Sequence, residues 1–383
     1  MDFNIKLKEN NEKENKNKNE LKNNNISHNN EKQKKINNSN LSLSEANIDN
    51  FSNPKDIQFL RYITKDSYTS KIYDNAFSVF KSINNIFYLI YGNENNSIIS
   101  LNLNNNQKIN EIKNAHNETI INFRHYLDDI NKRDLLLSIS NDFSNNNIKL
   151  WNINNWECLL SLEKIYKKDN LLATFLISNN ENYITTCNYR IYKDENTEPI
   201  KILDFKGNQI KIINDSNENT YFIDVYYDKN LLKNYIITGN EGHIKSYDYN
   251  SNIVYHKYCD KNRDKGICFS SIIIKDINII KIISSFNNGF IKIWNFHNEN
   301  LLNKIKICNK LLGICLWNNE FLFAGSSDKT IKLIDLNEEK VIREFNGHNQ
   351  EVTTIKKIFH PNYGECLISY GIENIILWKN NHN

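Results

Sequence analysis

The sequence predicts an all-β protein built from seven copies of one structural unit. A tetrapeptide of mostly alternating character recurs seven times, and neighbouring copies begin between 40 and 52 residues apart. The copies are IISL (98–101), IKLW (148–151), IKIL (200–203), IKSY (244–247), IKIW (291–294), IKLI (331–334) and IILW (375–378). A near-constant period of this length indicates an array of one supersecondary unit, so the repeat sets the fold of the chain.

Each unit has room for about four short strands and none for a helix. The tetrapeptides are rich in Ile and aromatic residues, as is typical of a half-buried strand. An apolar run and a small, polar turn precede most copies, as in YIITGNEG (235–242). Another turn and strand follow, as in KVIREF (340–345). We therefore predict a seven-bladed β-propeller of four-stranded antiparallel blades.

The segments GSSDKTIKLIDL and VIREFNGH, within residues 325–348, resemble the repeat of the WD-repeat family. That repeat carries Gly-His after its outer strand and Trp-Asp at the end of its third strand. The Gly-His equivalents are Ala115-His116 and Gly347-His348, and the Trp-Asp equivalents are Trp151-Asn152, Leu203-Asp204, Tyr247-Asp248, Trp294-Asn295 and Ile334-Asp335. No copy has a literal Trp-Asp. The resemblance covers roughly residues 57–380 and implies a propeller, but no particular function.

The resemblance also implies a hydrogen-bonded tetrad of His, Ser or Thr, Asp and Trp inside a blade. The best match is His116, Ser140, Asp142 and Trp151, and a second, degraded set is His348, Ser369, Glu373 and Trp378. A buried imidazole between a carboxylate and a hydroxyl superficially looks like a catalytic triad. The indole uses the hydroxyl, however, and the interior of a sheet offers no oxyanion donors, so we predict a structural role and no catalytic residue.

The ring of blades needs a strand from the start of the chain to close it. The last copy ends at Trp378, which leaves the seventh blade with three strands and an exposed edge. The segment IQFLRYI (57–63) has the pattern of an outer strand, and we predict that it pairs with the strand of Trp378. The alternative is that it is a stray strand in a linker. The predicted blades are 77–112, 118–163, 171–213, 220–259, 266–308, 310–346, and 350–380 together with 57–63.

Composition divides the chain into two parts. Residues 1–52 are rich in Asn, Lys and Glu and have almost no aromatic residues, so they cannot bury enough apolar surface to offset the entropy of ordering. We predict a disordered tail over 1–52 and the propeller over 53–383. The first 50 residues hold nine Lys against eight Asp plus Glu, which argues against a basic arm for nucleic acid.

The remaining composition favours an intracellular protein that is not an enzyme. The seven cysteines are scattered and form no CxxC pair, which is typical of reduced thiols in the cytoplasm or nucleus and indicates no metal site. The N-terminus is polar and no apolar run approaches ~20 residues, so we expect neither a signal peptide nor membrane insertion. No phosphate-binding, metalloprotease or serine-hydrolase motif is present, and we expect no cofactor and no small-molecule substrate.

Lysine recurs at one position of the third strand, at Lys149, Lys201, Lys245, Lys292 and Lys332. The long apolar stem of lysine allows the ammonium to reach water beside a buried strand. We therefore predict solvated side chains between the blades rather than a functional ring of charge.

Partners are expected at the mouth of the propeller, where seven loops converge on one concave rim. The residues just ahead of the third strands are predicted to point into it, namely Glu94, Asn141, Asn240, Asn287, Ser327 and Tyr370. The insertion YRIYKDENT (189–197) is placed on the same side, and its Tyr189, Arg190 and Tyr192 are residue types that interface hot spots prefer. The alternative for this insertion is a solvated loop.

These patterns favour a non-catalytic scaffold or adaptor that presents rim loops to other proteins or peptides, within a multiprotein complex. A nucleic-acid- or chromatin-associated module is the alternative, and it needs a basic rim with stacking aromatics. The patch formed by Tyr189, Arg190, Tyr192 and Lys193 alone fits that description, and a net charge of +3 is small, so nucleic acid is disfavoured. An enzyme is a third possibility, but no activated nucleophile supports it.

Overall fold

The structure is all-β, which confirms the predicted fold class. The computed structural model of the chain describes residues 53–64, 77–141, 146–166, 170–189, 198–214, 218–261, 265–276, 279–372 and 374–380. Within these ranges the only helix is one 3-10 turn, Pro54–Asp56, and no helix is long or apolar enough to cross a membrane. The predicted disordered tail, 1–52, lies outside the described residues, as do 65–74 and 190–197 of the longer connections.

The strands are short and follow one another in hairpins along the chain. In order they are β1 (Ile57–Thr64), β2 (Phe77–Lys81), β3 (Phe87–Gly92), β4 (Ile98–Asn102), β5 (Gln107–Ile112), β6 (Ile120–Asp128), β7 (Arg133–Asn141), β8 (Asn146–Asn152), β9 (Glu157–Glu163), β10 (Asn170–Ser178), β11 (Glu181–Tyr189), β12 (Ile200–Asp204), β13 (Gln209–Ile213), β14 (Phe222–Asp228), β15 (Lys233–Gly239), β16 (His243–Asp248), β17 (Ile253–Cys259), β18 (Cys268–Lys275), β19 (Ile280–Phe286), β20 (Phe290–Asn295), β21 (Leu301–Lys306), β22 (Leu311–Leu316), β23 (Phe321–Ser326), β24 (Ile331–Asp335), β25 (Lys340–Phe345), β26 (Val352–His360), β27 (Gly364–Gly371) and β28 (Asn374–Asn380).

Seven sheets of four strands each form the blades of the propeller. They are blade 1 (β2–β5), blade 2 (β6–β9), blade 3 (β10–β13), blade 4 (β14–β17), blade 5 (β18–β21), blade 6 (β22–β25) and blade 7 (β26–β28 with β1). In blade 7, β1 is the outer strand and pairs antiparallel with β28, with Ile57 opposite Asn380 and Phe59 opposite Trp378. The predicted closure by an N-terminal strand is therefore confirmed, and 57–63 is not a stray strand.

The hydrophobic core is divided among the seams between neighbouring blades. Seven clusters of buried side chains occur in the described part of the chain, and each joins two adjacent blades. At the seam of blades 6 and 7, for example, Phe323 and Leu333 pack with Leu367 and Trp378. Each blade is therefore covered on both faces, except toward its outer strand.

This packing overturns the prediction of solvated lysines at three of the five positions in the third strands, whereas Lys149 and Lys201 are half-buried. Lys245, Lys292 and Lys332 are buried, and Lys292 is 0% exposed. Because a neighbouring blade covers each face, the residue between two apolar ones meets protein rather than water. The ammonium groups are paired instead, Lys245 with Glu218 at 2.8 Å and Lys332 with Glu344 at 2.7 Å.

Candidate functional site

A serine in blade 7 joins a histidine and a tryptophan inside the sheet. Trp378 Nε1 donates to Ser369 Oγ over 2.7 Å, and the hydroxyl lies 2.6 Å from His348 Nε2. On the other side of the ring, His348 Nδ1 lies 2.5 Å from Asn374 Oδ1. A proton on Nδ1 satisfies all three contacts, since it donates to the amide oxygen and leaves Nε2 to accept from the hydroxyl. Asn374 thus occupies the place predicted for Glu373, which lies outside the described residues.

Blade 2 contains the same arrangement with one correction to the predicted residues. Trp151 Nε1 donates to Ser138 Oγ over 2.8 Å, and that hydroxyl lies 2.7 Å from His116 Nε2. The hydroxyl partner is therefore Ser138 and not Ser140. Both serines share one face of β7, but Ser140 lies two residues, or about 7 Å, further from the indole. Asp142 lies outside the described residues.

Burial keeps both imidazoles neutral over most of the acidic range. Removal from water lowers the pKa of His348 to about 4, although the hydrogen bond that His348 donates to Asn374 works in the opposite direction. The pKa of His116 is lowered to about 3, mainly by burial and further by the nearby ammonium of Lys149. The serine hydroxyls are themselves buried and already bonded. This geometry holds loop and sheet together and gives a substrate no access to the hydroxyl.

We expect the propeller to lose stability as the pH falls from about 6.5 toward about 4. The unfolded chain protonates His348 and His116 near their ordinary pKa of 6.5, whereas the folded chain holds them neutral to about 4 and about 3. The unfolded state then binds more protons, so the full stability is present above 6.5 and decreases below it. For His348 alone the loss is about 3 kcal/mol.

Urea unfolding at several pH values in this window measures the effect. His348→Gln keeps a polar, neutral side chain and should flatten the dependence of unfolding free energy on pH. An unchanged slope in His348→Gln contradicts the assignment of the proton uptake to this imidazole.

The other blades replace or lose the network. In blade 3, Tyr166 takes the place of the histidine, and its hydroxyl lies 2.8 Å from Thr186 Oγ1. In blade 5 the Trp294 indole N–H is buried and has no hydrogen-bond partner among the described residues, while Ser271 Oγ donates to Ser284 Oγ over 2.9 Å. The register is the same in the two blades, because Thr186 lies opposite Lys201 as Ser138 lies opposite Lys149.

The predicted rim residues do not form one exposed set. Glu94 is exposed in a turn, and Asn287 and Ser327 are half-buried. Asn240 and Tyr370 are each 1% exposed, so the prediction that they point into the mouth is wrong. The side chains of Asn141 and Tyr189, and the whole of Arg190 and Tyr192, lie outside the described residues.

Hydrogen bonding and packing explain the buried positions. Asn240 accepts from Thr238 Oγ1 over 3.0 Å and donates to the carbonyl of Asn219 over 3.0 Å, so its amide closes the loop. The ring of Tyr370 packs against Phe77 at the seam of blades 7 and 1. Asn287 also has a structural role, because its Oδ1 accepts a hydrogen bond from the backbone N–H of Ile267 over 2.7 Å.

An exposed group of aliphatic residues on blades 4 and 5 was not among the predicted sites. We call the six residues the aliphatic surface, and they are Leu231, Leu232, Ile253, Val254, Leu301 and Leu302. Their exposed fractions run from 36% at Leu301 to 62% at Ile253. The signal was present in the sequence, because each pair consists of consecutive apolar residues. In β17 and β21 neighbouring residues point to opposite faces, so a single apolar face cannot bury both, and Leu231 and Leu232 lie in the turn between β14 and β15.

Contacts across the seam bring together the elements that carry these residues. His256 of β17 lies 2.6 Å from Glu299, in the turn before β21. In the same turn, His297 lies 3.5 Å from Asp228, which begins the β14–β15 turn that carries Leu231 and Leu232. The two outer strands and the hairpin tip are therefore neighbours. Leu232 has φ 53°, and Lys132 in the corresponding turn of blade 2 has φ 51°, so this left-handed conformation belongs to the repeated turn.

The described residues contain no group of three or more His, Cys, Asp or Glu side chains that could hold a metal ion. All seven cysteines are free thiols. Burial raises the pKa of Cys268 and of Cys366 to about 12 and raises that of Cys158 as well. These three thiols are therefore poor nucleophiles at neutral pH.

No protein-family model matches the chain, and no curated protein matches it. The chain is a seven-bladed β-propeller with four-stranded antiparallel blades, and its function has to be inferred from its own surface.

Proposed function

We propose that the chain is a divergent WD-repeat propeller that acts as a non-catalytic scaffold for other proteins or peptides. The aliphatic surface on blades 4 and 5 is the observation that carries this proposal. Exposed apolar residues that cluster, rather than lie singly, mark interaction sites on folded proteins. A propeller is a rigid platform for such a site, because each blade is packed on both faces by its neighbours.

The chemistry of the described residues supports a scaffold rather than an enzyme. The two Ser–His pairs, His116–Ser138 and His348–Ser369, lie inside sheets with their hydroxyls already used by indole groups. Free, reduced cysteines support a place in the cytoplasm or nucleus. A multiprotein complex there is the proposed setting, since a propeller can hold partners on several faces at once.

The proposal is tested by recovering partners with intact and altered chains. Ile253→Asp combined with Leu301→Asp places charges in the aliphatic surface, while Ile130→Asp alters an exposed aliphatic residue of blade 2 as the matched control. We expect a discrete set of proteins, identified by mass spectrometry, to be lost with the double variant and kept with the control. Circular dichroism establishes that both variants are folded.

Two results would argue against this function. Recovery of the same proteins by all three chains places the interface elsewhere. If the chain recovers mainly RNA- or DNA-bound material that nuclease releases, the protein is a nucleic-acid-associated module and not a scaffold. That alternative depends on Tyr189, Arg190 and Tyr192. The side chain of Tyr189 and the whole of Arg190 and Tyr192 lie outside the described residues.

A further inference from the structure

The outer strands beside the aliphatic surface carry cations and no carboxylates. β13, β17 and β21 together hold Lys211, Lys257, Lys304 and Lys306, with no Asp or Glu in any of the three strands. The outer strands of blades 1, 2 and 6 differ, because they include Glu111, Glu157, Glu163 and Glu344. The outer strands of blades 3 to 5 therefore carry lysine without a carboxylate in the same strand.

Two of these lysines are bound by uncharged groups. Lys306 Nζ donates to the carbonyl of Asn288 over 2.6 Å, and Lys211 Nζ donates to the carbonyl of Tyr249. A carbonyl dipole orients an ammonium but leaves its unit charge in place. Lys257 lies 3.3 Å from Glu218, a carboxylate that also binds Lys245 at 2.8 Å. Lys304 lies 2.7 Å from Asp260, a carboxylate that also pairs with Lys292 at 3.5 Å. Each of these two carboxylates is shared by two lysines, so net positive charge remains along this side of the propeller.

Apolar and cationic side chains share one face of blade 5. Leu301 lies opposite Trp294, Lys304 opposite Lys292 and Lys306 opposite Phe290 in the β20–β21 pairing. Residues directly opposite each other project to the same face. Trp294 packs in the seam with blade 4, so Leu301 and both lysines face that seam. Ile253 faces the same seam from blade 4. Its partner Asp248 points to the same face of β16 as Ser246, and Ser246 contacts Tyr258 in the seam.

We propose that this side of blades 4 and 5 docks an acidic segment of a partner protein that also carries apolar side chains. The inference rests on the scaffold function and names the chemistry of the partner. A nucleic acid fits less well, because bases stack on aromatic side chains and the exposed residues here are aliphatic. The carboxylates on this side, Glu218, Asp260 and Glu299, are each bound to a lysine or a histidine.

A peptide of alternating glutamate and leucine, fluorescently labelled and long enough to span β17, is the probe. Fluorescence anisotropy with the full chain should detect binding that weakens as the ionic strength rises. Peptides with lysine in place of glutamate, or serine in place of leucine, should bind at least tenfold more weakly. Equal binding of either control peptide overturns the inference, because charge and apolar contact are both required.

Charge reversal locates the site. Lys257→Glu combined with Lys306→Glu should weaken the binding of the acidic peptide by about tenfold, because two attractions become repulsions. Lys340→Glu, an exposed lysine at the start of β25 in blade 6, should change the affinity less than about twofold. Equal loss in the two variants, or none in either, overturns the proposed site.

Competing occupants give separate results. Anionic phospholipid vesicles or single-stranded RNA could bind more tightly than the peptide and lose that binding in the same double reversal. That result assigns the surface to a polyanion and overturns the inference. A concentration-dependent dimer that Ile253→Asp dissociates assigns it to a second copy. If the pull-down loses partners with Ile253→Asp and Leu301→Asp but not with the lysine reversals, the scaffold function stands and the acidic partner is wrong.

Discussion

Removal of β1 is expected to abolish the cooperative unfolding of the propeller. β1 contributes to two seams, since Ile57 and Tyr62 pack between blades 6 and 7 while Leu60 and Ile63 pack between blades 7 and 1. Its loss uncovers the whole edge of β28 as well. The expected cost exceeds about 5 kcal/mol, which is comparable with the total stability of an ordinary domain. Thermal unfolding followed by circular dichroism measures it.

The matched truncation separates the strand from the tail. A chain that begins at residue 53 should unfold at the same temperature as the full chain, whereas one that begins at residue 65 should not. At the level of one residue, Ile57→Asp buries a charge in the seam and should cost at least about 4 kcal/mol. Gln58→Asp, at the exposed neighbouring position, should change stability by less than about 0.5 kcal/mol. Similar stability of the two point variants would show that β1 does not close the ring.

Ser369→Ala is expected to destabilise the propeller by about 2 to 4 kcal/mol. The hydroxyl is the shared partner of His348 Nε2 and Trp378 Nε1, so its removal leaves two buried polar atoms without a hydrogen bond. The methyl group of alanine fits the space, and the cost therefore comes from desolvated nitrogen atoms rather than from a cavity. Urea unfolding near neutral pH gives the free energy.

Ser100→Ala is the control for this substitution. Ser100 is equally buried in a third strand, but its hydroxyl donates over 3.2 Å to one backbone carbonyl, that of Asn110. Its loss should cost about 1 kcal/mol. Ser138→Ala should behave like Ser369→Ala, because Ser138 occupies the same place in blade 2. Equal, small losses in all three variants contradict a shared network of hydrogen bonds.

The lysines of the third strands help to hold the blades together. Each of these strands lies between two neighbouring blades, so a lysine there is buried only when its ammonium finds an acceptor. Lys149 and Lys201 reach the carbonyls of Ala115 and Ile165 in the loops that enter their blades. The side chains thereby connect the third strand to the preceding loop, a task that the histidine networks perform in blades 2 and 7.

The sequence by itself determined the number of blades, the four strands in each and the closing role of 57–63. Those features are local: a strand is visible as alternation over a few residues, and a turn such as Ser327–Lys329 is visible as a polar cluster. The last copy, IILW (375–378), forms the third strand of the seventh sheet, and a strand edge needs a partner. The same local pattern identified His348, Ser369 and Trp378, which the fold brings together.

The tertiary structure alone decided which side chains meet and which reach water. Ser138 and Ser140 share a face of β7, and only the register with Trp151 separates them. Tyr370 and Lys292 look exposed beside a turn or between apolar residues, yet a neighbouring blade covers each of them. The aliphatic surface arises in the same way, since Ile253 and Leu301 lie on different blades far apart in the chain. Burial in a propeller depends on the adjacent sheet, which is formed by a different segment of the sequence.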